Sequence, residues 1–442
     1  MGVTQNKCIV ITYTTLYRTG GEQFLRAAET LRKEKSKEFP DLKIISVATE
    51  SKAAFLKVFE DIKMQNLLVE EFHFFGHSGV YGVMFGTTDW PEQFSPFEWK
   101  QMQWPLANQA KIFFHACRTA RWLALFLATH FNRNVYGYWW YTTISTSNKK
   151  FIWKPNLKAP GDLYIVSCAG RKSHGLSASV LKYLGQVKLY PMIEYKPADG
   201  QIDRSYDFVS ELYEDTFQDL SVRKDEWHWL HKNIDFNKTK TLLDIGCGNG
   251  AFLRQVAPQL EKVSGVDASA GMLKVAQTKA SEAGIENIDF QRIDGPKLPF
   301  ADNQFDTVIS VLSFRYLDWD PMINEILRVL KPGGRILILD MVAAPIRFYE
   351  IPQLLISKMK NYFQRIQNPK YYKALSKMVS MPAWQQMLKY NPIRAEHEYK
   401  WYLQSRFPNS KQDCINIAWH SRIITFNSGP VHFKSVQKTS FP

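Results

Sequence analysis

Two rhythms of apolar residues alternate along the first half of the chain. Solid apolar runs predict buried strands at CIVITY (Cys8–Tyr13), LKIISVATE, VEEFHFF and AKIFFHACRTA. Between them, 20–35 carries Phe24, Leu25, Ala28 and Leu31 on one helical face, and 53–64 and 120–130 repeat the spacing. YGVMFGT predicts a hairpin and VYGYWWYTTIS one further strand. YIVSCAGRKSHG predicts a strand running into a turn with Cys168, Arg171 and His174. Strands alternating with helices predict a mostly parallel, doubly wound α/β sheet. The polar Pro/Gly stretch KPADGQ reads as a linker, dividing the chain into domains 1–197 and 202–442.

The second half opens on an aromatic helical stretch, Tyr206 to His231, with Tyr206, Phe208, Tyr213, Phe217, Trp227 and Trp229. Five pieces then follow in order: TLLDIGCGNG, VSGVDAS, DFQRIDGPKLPF, FDTVISVLSFRYLDW and LKPGGRILILD. Each joins an apolar strand to an acid or a glycine turn. Beyond Asp340 lies a basic, aromatic insert at 346–380, with Leu354, Leu355, Ile356 and Met359 on one helical face. AEHEYKWYL and WHSRIITFN predict a closing antiparallel strand pair, placing His397 and His420 on strand faces.

The pattern Asp244-x-Gly246-x-Gly248-x-Gly250 ends a buried strand in a turn where the backbone can approach a ligand closely. It differs from the dinucleotide fingerprint and resembles motif I of the class I S-adenosylmethionine (SAM) methyltransferases; the four later pieces keep that family's order and spacing. The resemblance covers about 206–340 and is nearest the branch that includes the ubiquinone/menaquinone-biosynthesis methyltransferases. It implies a Rossmann-like seven-stranded domain with SAM as cofactor. Asp244, Gly246, Gly248 and Gly250 would hold its amino-acid portion, Asp267 its ribose, and Asp294 with Gly295 its adenine. Tyr213 would sit against the methionine end, and Arg315 and Tyr316 in the loop facing the acceptor. Cys247 reads as a small filler of the turn. Neither an amino-methylation motif nor a Pro-Cys motif of DNA methylases is present, so DNA is not the expected acceptor. A small molecule or a lipid-like compound is.

In the first half, one predicted strand ends at Gly76-His77-Ser78 and another at Ala116-Cys117. This resembles the caspase-like cysteine peptidases over about 7–145. It implies Cys117 as nucleophile, His77 as acid/base, and the backbone N–H groups of Ser78 and Cys117 around an oxyanion. The family has Gly directly after the His. Here it is Ser78, strained if that position needs positive φ.

At 442 residues with 45% hydrophobic and 22% charged composition, the chain is of globular type. Its five scattered cysteines form neither a disulfide framework nor a metal pair, and no metal is expected. No apolar run is long enough to span a bilayer and no signal-peptide core precedes residue 8, so the expectation is cytoplasmic. The net charge of +14 is unevenly spread, with about +9 in 1–200, about −6 in 201–345 and about +11 in 346–442. An acidic core thus lies between basic flanks. The insert at 346–380 reads as a lid over the acceptor pocket or as a surface helix on anionic lipid. Two alternatives stay open: a peptidase whose methyltransferase half modifies a protein or peptide target, and a pseudo-peptidase binding module attached to the methyltransferase. Oligomeric state is not legible.

Overall fold

The computed structural model describes residues 6–79, 81–152, 160–197, 205–390 and 393–432. The chain splits into two compact units, Met1–Gln201 and Ile202–Ser440. Most of the linker stretch, 198–201, lies outside the described residues, as do the side chains of Tyr206, Phe208 and Arg171.

The first unit is built on a six-stranded sheet of order β2-β1-β3-β6-β7-β11. Its strands are β1 (Lys7–Tyr13), β2 (Lys43–Ala48), β3 (Leu68–Phe75), β6 (Leu106–His115), β7 (Asn134–Gly137) and β11 (Ile193–Tyr195), all parallel except β11. Helices α1 (Gly21–Glu38), α2 (Lys52–Met64) and α4 (Leu123–Phe131) make the crossovers. β4 (Met84–Gly86) and β5 (Pro91–Gln93) form a hairpin before α3 (Pro96–Gln101), whose Ser95 and Glu98 cap it reciprocally. A buried aromatic cluster fills one face of the sheet, with Phe55 against Phe72, Phe85, Phe94 and Trp99.

VYGYWWYTTIS is two strands rather than one. β7 stays in the main sheet, while β8 (Thr142–Ser145) joins a second, antiparallel sheet with β9 (Tyr164–Cys168) and β10 (Leu189–Tyr190). The run breaks where backbone N–H groups of Arg118 and Ala120 take the carbonyls of Trp140 and Tyr138. The stretch after Cys168 continues as α5 (Arg171–Tyr183), kinked at Gly175.

The second unit holds a seven-stranded sheet of order β14-β13-β12-β15-β16-β18-β17. β12 (Thr241–Ile245), β13 (Lys262–Asp267), β14 (Ile288–Arg292), β15 (Phe305–Val311) and β16 (Leu330–Ala343) are parallel; β18 (Ser421–Asn427) runs antiparallel beside β16 and pairs with β17 (Lys411–Ile417). This is the seven-stranded Rossmann-like arrangement the motif order implied. Helices α6 (Ser205–Thr216), α7 (Lys224–Asn233), α8 (Ala251–Val256), α9 (Ala270–Glu282) and α10 (Trp319–Val329) accompany it. The insert is α11 (Ile351–Gln367) and α12 (Pro369–Ser380), followed by α13 (Pro382–Tyr390) and α14 (Glu396–Arg406).

α14 corrects a second expectation, since AEHEYKWYL is helix and not strand. Tyr399, Tyr402, Leu403 and Arg406 are buried at i, i+3, i+4 and i+7, a helical stripe packed on Phe314 and Trp319. The strand that pairs with β18 is instead β17. His397 accordingly lies on α14, edge-on to Trp401, and His420 in the turn between β17 and β18.

Candidate functional site

The central strand β12 is buried from Leu242 to Ile245 and ends in the glycine turn. Gly246, Gly248 and Gly250 have φ of +74°, +54° and +70°. At Gly246 an added Cβ would lie 2.4 Å from Ser313 Cβ at the end of β15. The Ser313 hydroxyl donates to Gly246 O at 2.9 Å, so the two strand tips are tied here. At Gly248 the nearest side-chain atom to such a Cβ is Tyr213 Cε1, 3.8 Å away. Tyr213 therefore lies over the turn.

Asp267 closes the adjacent strand β13 and points at this turn. Its Oδ2 accepts the Gly248 N–H at 2.9 Å and its Oδ1 the Ser269 N–H at 2.8 Å. Burial pushes its carboxyl up, while those backbone donors pull the other way. Asp244 is 2% exposed, and its Oδ1 has no hydrogen-bond partner among the described residues. Burial, then the charge of Asp267, holds its carboxyl well above the ordinary range. Two desolvated carboxyl groups, Asp244 raised further by Asp267 and Asp267 by Asp207, lie beside an open backbone turn and fit a cationic ligand, because a positive charge would relieve both. Cys247 is buried, and its thiol is raised well above its ordinary value first by burial. It is a filler and not a nucleophile.

Asp294 and Gly295 follow β14, where the Ile293 N–H donates to Asp267 O at 3.1 Å. The Asp294 side chain itself is 80% exposed and ion-paired with Arg292 at 3.1 Å. Arg315 is not an open anion holder. Its guanidinium pairs with the buried Asp340 carboxylate, its backbone N–H donates to Asp340 Oδ2 at 2.7 Å, and it stacks over Tyr316 at 4.4 Å. Its charge is thus balanced from the neighbouring strand β16, and it positions the loop after β15. Leu312 in that loop has φ +60°, unusual for a branched residue.

Three side chains important to this geometry carried no motif signal. Asp207 Oδ1 accepts from Ser269 Oγ and from Gly271 N at 3.0 Å, fixing one end of α6 beside Asp267. At the other end Glu214 pairs with Arg254 at 3.1 Å and accepts from Asn249 inside the glycine turn. Asn249 also donates to Phe217 O at 3.2 Å. Helix α6 is latched over the crevice at both ends. Above it, Tyr371 of α12 meets Phe217 at 6.2 Å and Trp384 of α13 meets Tyr213 at 6.4 Å.

In the first unit, His77 follows β3 and Cys117 follows β6, at the carboxyl ends of neighbouring parallel strands. The His77 ring lies edge-on to Phe24 and Tyr17, with Nε2 2.9 Å from Thr19 O. A carbonyl only accepts, so in the neutral ring the proton sits on Nε2 and Nδ1 is the acceptor nitrogen. Cys117 Sγ accepts the Thr142 N–H at 3.3 Å, and the Ser78 hydroxyl donates to Cys117 O. Ser78 is not among the residues of positive φ, so the strain expected of it is absent. Arg118, directly after Cys117, has φ +60°. Cys168 is buried, and His174 packs against Trp140 at 4.7 Å and Tyr190 at 6.0 Å.

A parallel sheet whose first strand ends in a glycine turn and whose second ends in a carboxylate defines a nucleoside-cofactor-binding α/β protein. Residues 243–338 match a family described as "Methyltransferase domain". The chain is 32% identical over 201 residues to a demethylmenaquinone methyltransferase of Bacteroides fragilis, covering 42% of this chain and 79% of that protein. It is 28% identical over 199 residues to the uncharacterized methyltransferase YcgJ of Bacillus subtilis, covering 45% and 74%. Against the ubiquinone/menaquinone biosynthesis C-methyltransferase UbiE of Pseudomonas aeruginosa the identity is 43% over 121 residues, 25% of this chain and 47% of that one. Through its second unit the chain belongs to the class I SAM-dependent methyltransferases.

Proposed function

We propose that the second unit methylates a small-molecule or lipid-like acceptor carrying an apolar, flat group. The observation that carries this reading is the aromatic roof of Tyr213, Phe217, Tyr371 and Trp384 over the glycine turn. Relatives named for methylating quinone precursors support it. SAM, when bound, supplies an electrophilic methyl group whose charge leaves with it. The chain's own residues would do the rest. Asp267 would present negative charge to a cation, Asp244 would join it on giving up its proton, the glycine turn admits the ligand's backbone approach, and the roof excludes water. The Tyr213 hydroxyl, pushed up to about 12 by burial, stays protonated at neutral pH and would act as a donor rather than a base. Incubating the protein with methyl-labelled SAM and a metabolite and lipid extract, then finding by mass spectrometry what gains one methyl, tests the reading. Label appearing only on protein or peptide would overturn it.

A second reading concerns the first unit, as a caspase-like cysteine peptidase fold. Three observations favour it: the strand order with its single antiparallel edge strand, His77 and Cys117 at adjacent strand ends, and the fixed His77 tautomer. Cys117 would attack a peptide carbonyl, with His77 Nδ1 handling the proton and Ser78 and Cys117 N–H groups facing the oxyanion. A peptide-library cleavage assay with Cys117→Ala as control decides it. Cleavage that survives in the variant removes Cys117 as nucleophile, and no cleavage by the parent leaves the unit as a binding module.

A further inference from the structure

The outer face of α11 and the turn before it form an apolar surface that packs against nothing described. Phe348 is 91% exposed, and Leu355, Met359, Tyr362, Phe363 and Ile366 lie between 54% and 64%. Leu355, Met359, Tyr362 and Ile366 fall at i, i+4, i+7 and i+11, so they line one stripe along the whole helix. Leu354 and Ser357, on the opposite side, are buried against the unit. The sequence grouped Leu354 with Leu355, Ile356 and Met359; the fold divides them between an inner anchor and an outer face.

Basic side chains border the stripe. Lys358 and Arg365 project along one edge and Lys360 along the other, where it reaches Asp225 at 3.6 Å. Residues 351–380 contain six lysines and arginines and no acidic residue. Trp419, in the turn between β17 and β18, is half exposed with the Lys358 ammonium 5.2 Å over its ring. An apolar strip edged by cations, with Tyr362 within it and Trp419 beside it, has the chemistry of a helix lying in the headgroup plane. No described helix is long and apolar enough to cross a membrane.

We infer that the α11 face with Trp419 docks on an anionic phospholipid surface. The charge selects this occupant. A second copy seated on the same face would bring a like set of cations against these, whereas anionic headgroups neutralise them while the acyl boundary receives the apolar strip. The lid function falls instead to α12 and α13, whose Tyr371 and Trp384 meet α6. The inference stands apart from the identity of the methyl acceptor.

The test is co-sedimentation of the full chain with phosphatidylcholine vesicles, with and without phosphatidylserine, at low and high salt. Binding is expected on the phosphatidylserine vesicles, at least about tenfold weaker on phosphatidylcholine alone and weakened by salt. The double variant Leu355→Glu/Phe363→Glu, altered only at exposed positions, is expected to lose binding at least about tenfold with an unchanged melting temperature. Three results would overturn the inference. The first is a parent that stays in the supernatant with phosphatidylserine vesicles at low salt. The second is a double variant that binds as the parent does. The third is a dimer, seen by sedimentation velocity without lipid and abolished in the double variant, which would assign the face to a second copy.

Discussion

Replacing Asp244 by Asn should move stability and cofactor affinity in opposite directions. The carboxyl is 2% exposed, its Oδ1 has no described partner, and Asp267 adds like charge. An amide of the same shape removes the charge and keeps the packing. Because the folded-state pKa lies well above the ordinary 3.8, the folded unit holds a proton that the unfolded chain releases as pH rises. Stability therefore falls with rising pH from about the ordinary carboxylate value up to the raised one, and the variant escapes that fall. Removing the cost of protonating that carboxylate, or of burying it charged, while leaving a neutral unpaired amide should gain about 2 kcal/mol at pH 8. For a unit of this size that is roughly 4–8 °C in Tm. The gain should shrink at pH 5 and vanish below the ordinary value. SAM affinity should meanwhile fall about tenfold, since an amide has no proton to give up and cannot meet the cation with a negative charge. Scanning calorimetry at pH 5 and pH 8 without ligand, with SAM titration calorimetry alongside, reads both effects. A variant no more stable than the parent at pH 8, or a gain that grows toward low pH, would refute the reasoning.

Other sites give sharper single effects. Gly246→Ala combines left-handed strain with a contact 2.4 Å from Ser313 Cβ and should cost about 2–4 kcal/mol, seen as a fall in the urea midpoint; an unchanged midpoint would mean the turn is soft. Arg315→Ala strands the buried Asp340 carboxylate and should cost about 3–5 kcal/mol, with partial recovery in the Arg315→Ala/Asp340→Asn pair. Glu214→Gln loosens α6 from Asn249 and Arg254, and should weaken SAM binding about three- to tenfold while moving Tm little. If binding is unaffected, the latch on α6 plays no part in holding the cofactor.

The second unit was the more legible of the two because its signals are local. Gly246, Gly248 and Gly250 announce a turn by residue type alone, and Asp267 ends the next strand at a fixed remove from them. What escaped depends on which elements become neighbours. Asp207 and Glu214 are ordinary helix acids in the sequence and become latches only once α6 lies across the crevice. Arg315 looked available in its loop, yet β16 brings Asp340 beneath it. AEHEYKWYL misled because alternating charged and aromatic residues suit a strand face as well as a helix whose tyrosines turn inward. In the first unit the strand ends carrying His77 and Cys117 were readable, but the break of VYGYWWYTTIS between two sheets was not. It depends on carbonyls of Tyr138 and Trp140 meeting the turn after Cys117.

The account turns on Asp267 and the glycine turn holding SAM together. Titration calorimetry of SAM into the parent and into Asp267→Ala, with melting curves showing both folded, tests that most directly. A dissociation constant raised at least about tenfold in the variant is the predicted result; equal affinity in the two proteins would contradict it.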